Sequence, residues 1–378
     1  MDNSLALDYE SNSKLKYVSK EQVLWKQLLS LTLLYASVII GWIAYYNYQP
    51  ILLEKYSFKD LTLFLFISQG IIMVLTPPIA GMMGDKFRRK AGQRLPIISA
   101  GVSFAAMIFM ATAFTLFTDP GPVFRWILPG LIVLWLFSMA LFTSPAISTI
   151  EVFVPVNRLP TAMALLTVVY GLLYAIEPVI VDLINFLGAP LTFVVGGVAV
   201  LGSGLLMRSN SRYMLDVPPK QEVGKSDFTY AFALGACFGI VTTILFNLFP
   251  DWFTNKNFSV MGISGSGIIS AVLAVVALVG YPIGRLAEKR SVYLSILISI
   301  LGVTALTVMI YFTSNPVLLT IELILFAVTY ALMSVTFLPL ALTVVKDKNK
   351  VLGVGIFFAG FELPNGVLEA ILVKMGLF

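Results

Sequence analysis

The sequence predicts an all-α integral membrane protein: a helical bundle of two halves with about eleven transmembrane helices. Three observations carry this. Hydrophobic residues make up 58% of the chain and charged residues only 12%, against roughly 25% charged in a soluble domain. Apolar runs bounded by charges recur eleven times, each near the roughly 20 residues that cross a bilayer as a helix. One long polar stretch, 208–228, carries Pro218-Pro219 and charges of both signs and divides six runs from five.

The runs lie at 27–50, 61–83, 96–117, 126–148, 160–181, 190–207, 229–249, 262–282, 292–313, 317–344 and 351–372. They divide the chain into a tail (1–26), a six-helix half (27–207), a linker (208–228) and a five-helix half (229–378). The 317–344 run is too short for two crossings, so an odd number of spans is expected. The first 25 residues are polar, and the run after them lacks a short apolar core with a small-residue cleavage site, so a cytoplasmic tail is expected and not a signal peptide. With that end inside, every Lys and Arg except Lys55, Lys59, Arg125, Lys256 and Lys374 falls on the cytoplasmic side, as the positive-inside rule requires. The protein is expected to be a multi-pass protein of the cell membrane, and a monomer.

Several chemistries are excluded. Cys237 is the single cysteine and there is no histidine, so disulfide, zinc, thiolate and histidine-relay chemistry have no basis. No Gly-x-x-x-x-Gly-Lys-Ser/Thr phosphate loop is present to drive ATP-dependent work. No enzyme activity, cofactor or metal is expected. The net charge of +5 is placed between apolar runs, which indicates topology and no nucleic-acid partner.

Residues 81–96, GMMGDKFRRKAGQRLP, are expected to form a short cytoplasmic turn between the second and third spans. Gly81 lets two helices approach closely, and Asp85 can accept from backbone donors at a neighbouring helix end or pair with a cation. Lys86, Arg88, Arg89, Lys90 and Arg94 would hold the turn inside. The charges can equally be topogenic and nothing more. Gly280-Tyr281-Pro282-Ile283-Gly284-Arg285 repeats the pattern after the second span of the second half, with Gly284 where the acid would stand. That copy is expected to hold its helix ends more weakly and to tolerate polar substitution at Gly284. Gly81, Asp85, Lys86, Arg88, Arg89 and Arg285 form the candidate conformational latch.

Gly81-x-x-x-Asp85-Lys86 with Arg88, Arg89 and Lys90 resembles the loop signature of the major facilitator superfamily. The extension Gly92-Gln93-Arg94-Leu95-Pro96, with the Gly355 to Asn365 run, is similar to the glycoside and disaccharide:cation symporters, the sucrose-transporter-like branch. The resemblance implies a major-facilitator-type bundle that rocks around a midplane site, with a sugar or glycoside as solute and a proton as coupling ion. Gln93 and Leu95 stand where that branch has arginines, and the superfamily usually has twelve helices. In the fourth span Ile147 replaces the arginine of a Gly-Pro-x-Arg…Asp coupling pattern and Glu151 is one residue out of register, so Glu151 is expected to anchor a loop.

Ionisable residues within spans are costly and mark functional candidates. Glu362, about a dozen residues into the last span and just before Pro364-Asn365, is the leading proton-coupling acid, with Glu177 second; each can also be a structural carboxyl. Asp182 and Glu322 are expected to be solvated at outer helix ends. The first span carries Tyr35, Trp42, Tyr45, Tyr46, Asn47, Tyr48 and Gln49. Its last part can be an interfacial aromatic belt, whereas Tyr35 and Trp42, seven apart, share a deeper face. Tyr35, Trp42, Gln69, Trp135, Asn247 and Tyr330 form the candidate solute site, to which Thr329 and Ser334 could add hydrogen bonds.

The sequence therefore points to a secondary transporter of a small polar solute, coupled to protons. A carrier of another solute, apolar, drug-like or ionic, and a non-transporting scaffold with the same fold are the alternatives. Tags on the two ends should be protected and exposed respectively in intact cells, since an odd span count puts them on opposite sides; both tags on one side would mean a miscounted span.

Overall fold

The computed structural model describes residues 16–17, 22–55, 62–118, 121, 126–216, 225–255 and 265–374. Of the sequence features above, Lys14, Lys20, Lys59, Arg125, Lys220, Lys256 and Pro218-Pro219 lie outside the described residues. Among the described residues eleven helices are long and apolar enough to cross a membrane, in agreement with the expected class. They are α1 (Trp25–Lys55), α2 (Thr62–Ala91), α3 (Leu95–Phe117), α4 (Ile127–Ser148), α5 (Leu159–Ala175) and α6 (Glu177–Ser211). Then follow α7 (Phe228–Thr243), α8 (Gly265–Glu288), α9 (Val292–Phe312), α10 (Pro316–Val344) and α11 (Lys350–Lys374).

The helices depart from the apolar runs where polar residues continue a helix beyond the hydrocarbon. α2 does not stop at residue 83 but runs to Ala91, so most of the basic signature is helical and the turn shrinks to Gly92-Gln93-Arg94. Arg88, Arg89 and Lys90 sit in the last turn of α2, where cations oppose the negative end of the helix dipole. Gly92 ends the helix at φ 68°, a left-handed conformation that glycine adopts without strain. α5 stops at Ala175, so Glu177 opens α6 and does not lie inside the fifth span. Gly188, at φ 75° and ψ 161°, breaks α6 into two helical pieces.

Past α4 a further turn, Ile150–Phe153, carries Glu151. Past α7 a π-helical segment, Ile244–Leu248, leads into Phe249–Asn255; the wider turn re-aims the side chains on it. The polar stretch after α6 is not all linker: Met214–Leu215 (β2) pairs in parallel with Lys16–Tyr17 (β1).

α1 and α3 pack on α6, α8 and α9 pack on α10, and two long contacts, α2 with α11 and α5 with α8, join the first six helices to the last five. Lipid gives helices no hydrophobic reason to associate, so close contact relies on small residues. A Cβ on Gly81 would lie 2.6 Å from the Leu352 Cα. Gly284 is equally confined: a Cβ there would meet the Ala164 Cβ at 2.6 Å and the Pro160 carbonyl oxygen at 2.9 Å. The expected tolerance of Gly284 to polar side chains therefore fails on steric grounds, because this copy is held by backbone packing where the other adds a carboxylate. Glu322 is also corrected: it is 2% exposed and accepts from the Thr313 hydroxyl at 2.9 Å, whereas Asp182 is exposed as expected.

Gly284→Ser should lower stability by about 1–3 kcal/mol, the usual cost of overpacking, and appear as a lower melting temperature in detergent. Gly202→Ser, at a site with nothing within 4 Å of the added Cβ, is the control. Equal melting of the two variants would show that the α5–α8 contact yields.

Candidate functional site

At one end of the bundle the helices close on one another through a buried ionic cluster. On α2 the positions Gly81, Gly84, Asp85 and Arg88 recur at helical spacing and share one face. Asp85, 2% exposed, accepts from the backbone N–H of Leu352 at 2.9 Å and of Val351 at 3.2 Å. These belong to the first turn of α11, where amides have no partner within their own helix. Arg88 donates to the Asp347 carbonyl oxygen and pairs with Asp216 at 3.2 Å. Arg94, 1% exposed, donates to Glu151 and to the Ser148 carbonyl oxygen and pairs with Asp216 at 3.0 Å. Burial opposes the Arg94 charge, but Asp216 and Glu151 outweigh it and raise the pKa of its guanidinium.

The other latch candidates are placed differently. Arg89 is exposed and reaches the Lys348 carbonyl oxygen at 3.3 Å, and Lys86 is exposed. Arg285 is not brought to a neighbouring helix. It donates to the Tyr281 hydroxyl on its own helix at 3.1 Å, and its guanidinium lies 5.5 Å from that ring's centroid. Arg94, Asp216 and Glu151 take the central places that the sequence pattern assigned to these exposed cations.

Beyond the closed end lies a cavity of about 950 Å³ bounded by residues of both sets of helices. Its wall begins near Pro77, Ile147 and Leu338 and continues to Glu54, an exposed residue in the last turn of α1; on that side it communicates with solvent. Tyr35, Trp42, Asn247, Tyr330, Glu177 and Glu362 all line it. Among the described residues its ionisable carboxyls are Glu54, Glu177, Glu362 and Glu369, and no Lys or Arg contributes to the wall. Thr143, Ser144, Thr242, Ser334 and Asn365 add hydrogen-bonding groups, and the Tyr330 hydroxyl lies 3.0 Å from that of Thr242.

Gln69 and Trp135 stand behind this wall, both 2% exposed. Trp135 stacks on Tyr45 with centroids 4.8 Å apart and meets Trp42 edge-on at 5.1 Å, so it supports the aromatic wall without forming it. Gln69 accepts from the Tyr45 hydroxyl at 2.7 Å and donates to Glu369 at 3.0 Å. Asn365 donates to the other Glu369 oxygen at 2.8 Å and accepts from Asn247 at 2.9 Å. Tyr45, Gln69, Glu369, Asn365 and Asn247 thus form one continuous hydrogen-bonded chain.

Sequence reasoning did not select Glu369, Glu54, Tyr170 or Tyr174. Glu369 could have been found: Glu362, Asn365 and Glu369 form a polar stripe on one helix face. Tyr170 and Tyr174, one turn apart with rings at 4.8 Å, carry the same signal more weakly. Tyr46 and Gln49 line the cavity, so the end of α1 is more than an interfacial belt.

The Major Facilitator Superfamily model matches residues 64–367. Similar solved structures include the proton:xylose symporter XylE bound to 6-bromo-6-deoxy-D-glucose, at TM-score 0.64 and 12% identity over 94% of this chain and 90% of that one. The human organic anion transporter TETRAN has TM-score 0.63 and 12% identity over 92% and 93%. The E. coli fucose:proton symporter FucP has TM-score 0.59 and 13% identity over 93% of each chain. At these identities the likeness is one of fold. No functionally curated protein matches the sequence. The chain belongs to the major facilitator superfamily of membrane transporters.

Proposed function

We propose that this protein carries a neutral polyhydroxylated solute, a sugar or glycoside, together with a proton, by alternating access around the central cavity. The wall composition is the observation that supports this most directly: among the described residues it has aromatic faces, hydroxyls and amides, four carboxyls and no cation. A solute carboxylate or phosphate would find no countercharge among them. A pyranose can stack its apolar face on Tyr or Trp while its hydroxyls satisfy Asn, Ser and Thr. The resemblance of residues 81–96 and 355–365 to disaccharide symporters points the same way. The proton is assigned to Glu362, which faces the cavity from the middle of α11, with Glu177 as the second candidate.

Asp85 is the proposed latch. Its grip on α11 exists only while the cluster end is closed, and opening that end to the cytoplasm must break it. Gly81, Arg88 and Arg89 act beside it. Lys86 and Arg285, exposed and off this contact, are left with a topological role.

The same wall supports a second reading, an organic cation held by carboxylates and aromatic faces. Uptake of labelled disaccharide into proteoliposomes, with and without a proton gradient and with quaternary ammonium competitors, separates the two. Gradient-driven sugar uptake that ignores the ammonium ions is the expected result; ammonium uptake without sugar uptake would overturn the sugar assignment.

Glu362→Gln should retain binding and exchange of the solute and lose gradient-driven accumulation. Unchanged accumulation would move the coupling role elsewhere. Asp85→Asn loses one charge-assisted hydrogen bond of about 1.5–3 kcal/mol. It should shift the balance of access states about tenfold or more and slow uptake while the protein still reaches the membrane. Wild-type uptake in that variant would remove the latch.

A further inference from the structure

We propose that Glu369 is a proton-operated tether between α2 and α11, a positioning residue for transport distinct from Glu362. The inference rests on the proton-coupled reading above and is carried by the direction of each hydrogen bond in the chain through Glu369. The Gln69 carbonyl oxygen is taken by the Tyr45 hydroxyl, so Gln69 presents its NH₂ to Glu369. The Asn365 oxygen is taken by the Asn247 amide, so Asn365 also presents its NH₂. Both arms point inward on one carboxyl, an arrangement suited to a group that only accepts.

A proton delivered from the cavity to either Glu369 oxygen places a donor against a donor. Reversing Asn365 would set its NH₂ against that of Asn247, which would have to turn as well. Reversing Gln69 needs the Tyr45 hydroxyl to turn and accept and the Tyr46 hydroxyl, which accepts from the Gln69 NH₂ at 3.4 Å, to turn and donate. Both are rotatable hydroxyls, whereas Asn247 is an amide that must flip, so the Gln69 arm is the one that yields. The charge-assisted bond across α2 and α11 is then replaced by a neutral one, about half as strong. α11 carries the other end of the chain to Asn247 in the π-helical segment after α7, so the tether joins helices from both sides of the polar stretch at 208–228.

The titratable groups around Glu369 are Tyr45 and Tyr46 of α1, both hydrogen-bonded to Gln69, and Glu362 of its own helix, on the same cavity wall. The charges of α2, Asp85 to Lys90, lie at the opposite end. On the other packed elements Glu322 of α10 accepts from Thr313, Asp227 caps the far end of α7 and Asp251 is exposed. Glu54 shares the cavity wall.

The test is thiol labelling of Thr143→Cys on the cavity wall, in a Cys237→Ser background, in lipid without solute or gradient. Rates are normalised to a free thiol at each pH. The ionised tether holds the open cavity, so labelling should slow by about threefold or more between mildly alkaline and mildly acidic buffer. Glu369→Gln should be fixed at the slow rate, and Asp182→Asn, at an exposed carboxyl off the cavity wall, should keep the pH response. Asn247→Leu frees Asn365 to turn and should move the midpoint to higher pH; it decides the matter if Glu369→Gln does not fold. A wild-type profile in Glu369→Gln or an unmoved midpoint in Asn247→Leu would each overturn the proposal. Because no solute is present, this result is independent of whether sugar is carried.

Discussion

The carboxylate of Asp85 against the first turn of α11 is the contact on which the rest of the arrangement depends. The opening amides of a helix have no preceding turn to satisfy them, and where the helix start is buried against α2 Asp85 supplies two acceptor oxygens to Val351 and Leu352. It can reach them because a glycine at position 81 leaves α2 and α11 almost in backbone contact. Around it the cations are neutralised in turn: Arg88 by Asp216, and Arg94 by Asp216 and Glu151. Asp216 comes from the segment after α6, and that segment is paired by β2 to the N-terminal tail. Covalently distant parts of the chain therefore converge on one end of the bundle. Such buried pairs return little net stability once desolvation is counted, but removing one partner strands a charge at a cost of about 3–5 kcal/mol. The cluster specifies an arrangement more than it strengthens one.

The cavity follows from the complementary constraint. Polar side chains held away from the closed end can stay in the membrane only by bonding to one another or by facing a wet space. Both happen here: Glu54, Glu177 and Glu362 face the cavity, whereas Glu369 faces it while accepting two amide donors. Trp135 and Tyr45 form the stacked layer behind Trp42, so the aromatic wall is backed by aromatic packing and its rings have little room to turn.

Some of this was legible in the sequence because it is written in period and composition. The eleven apolar runs set the spans, and Gly81, Asp85 and Arg88 fall on one face as soon as α2 is known to continue. Charges inside the basic stretch hid that continuation, since a run of cations after an apolar segment reads as a loop. Arg94 and Glu151 were visible as charges but not as partners, because a pairing across separate helices has no local signature. Gln69 and Trp135 were chosen for chemistry alone and lie one layer behind the wall. Glu369 stands near the end of the last apolar run, where a carboxylate is ordinary, and only its spacing from Glu362 and Asn365 marks it. Gly284 was misread for a related reason: the absence of an acid looked like freedom, when the position is filled by the backbone of α5.

The two joining contacts consequently differ in kind. α5 against α8 is closed by shape at Gly284, where an added Cβ would meet the Ala164 Cβ, the Pro160 carbonyl oxygen and the Thr161 Cα. α2 against α11 has the same close approach at Gly81 and a carboxylate near each end: Asp85 accepts from α11 backbone, and Glu369 accepts from Gln69 on α2. A contact held by packing alone can act as a pivot, since sliding it changes no charge. One held by carboxylates at both ends can be biased by whatever changes those charges. Asp85 lies in the ionic cluster and Glu369 on the cavity wall, so only the second is placed where a proton arriving with the solute could reach it. On the proposed reading, the asymmetry between the repeated signatures, an acid in one and a glycine in the other, would set the α5–α8 contact as the pivot and the α2–α11 contact as the one that answers to charge.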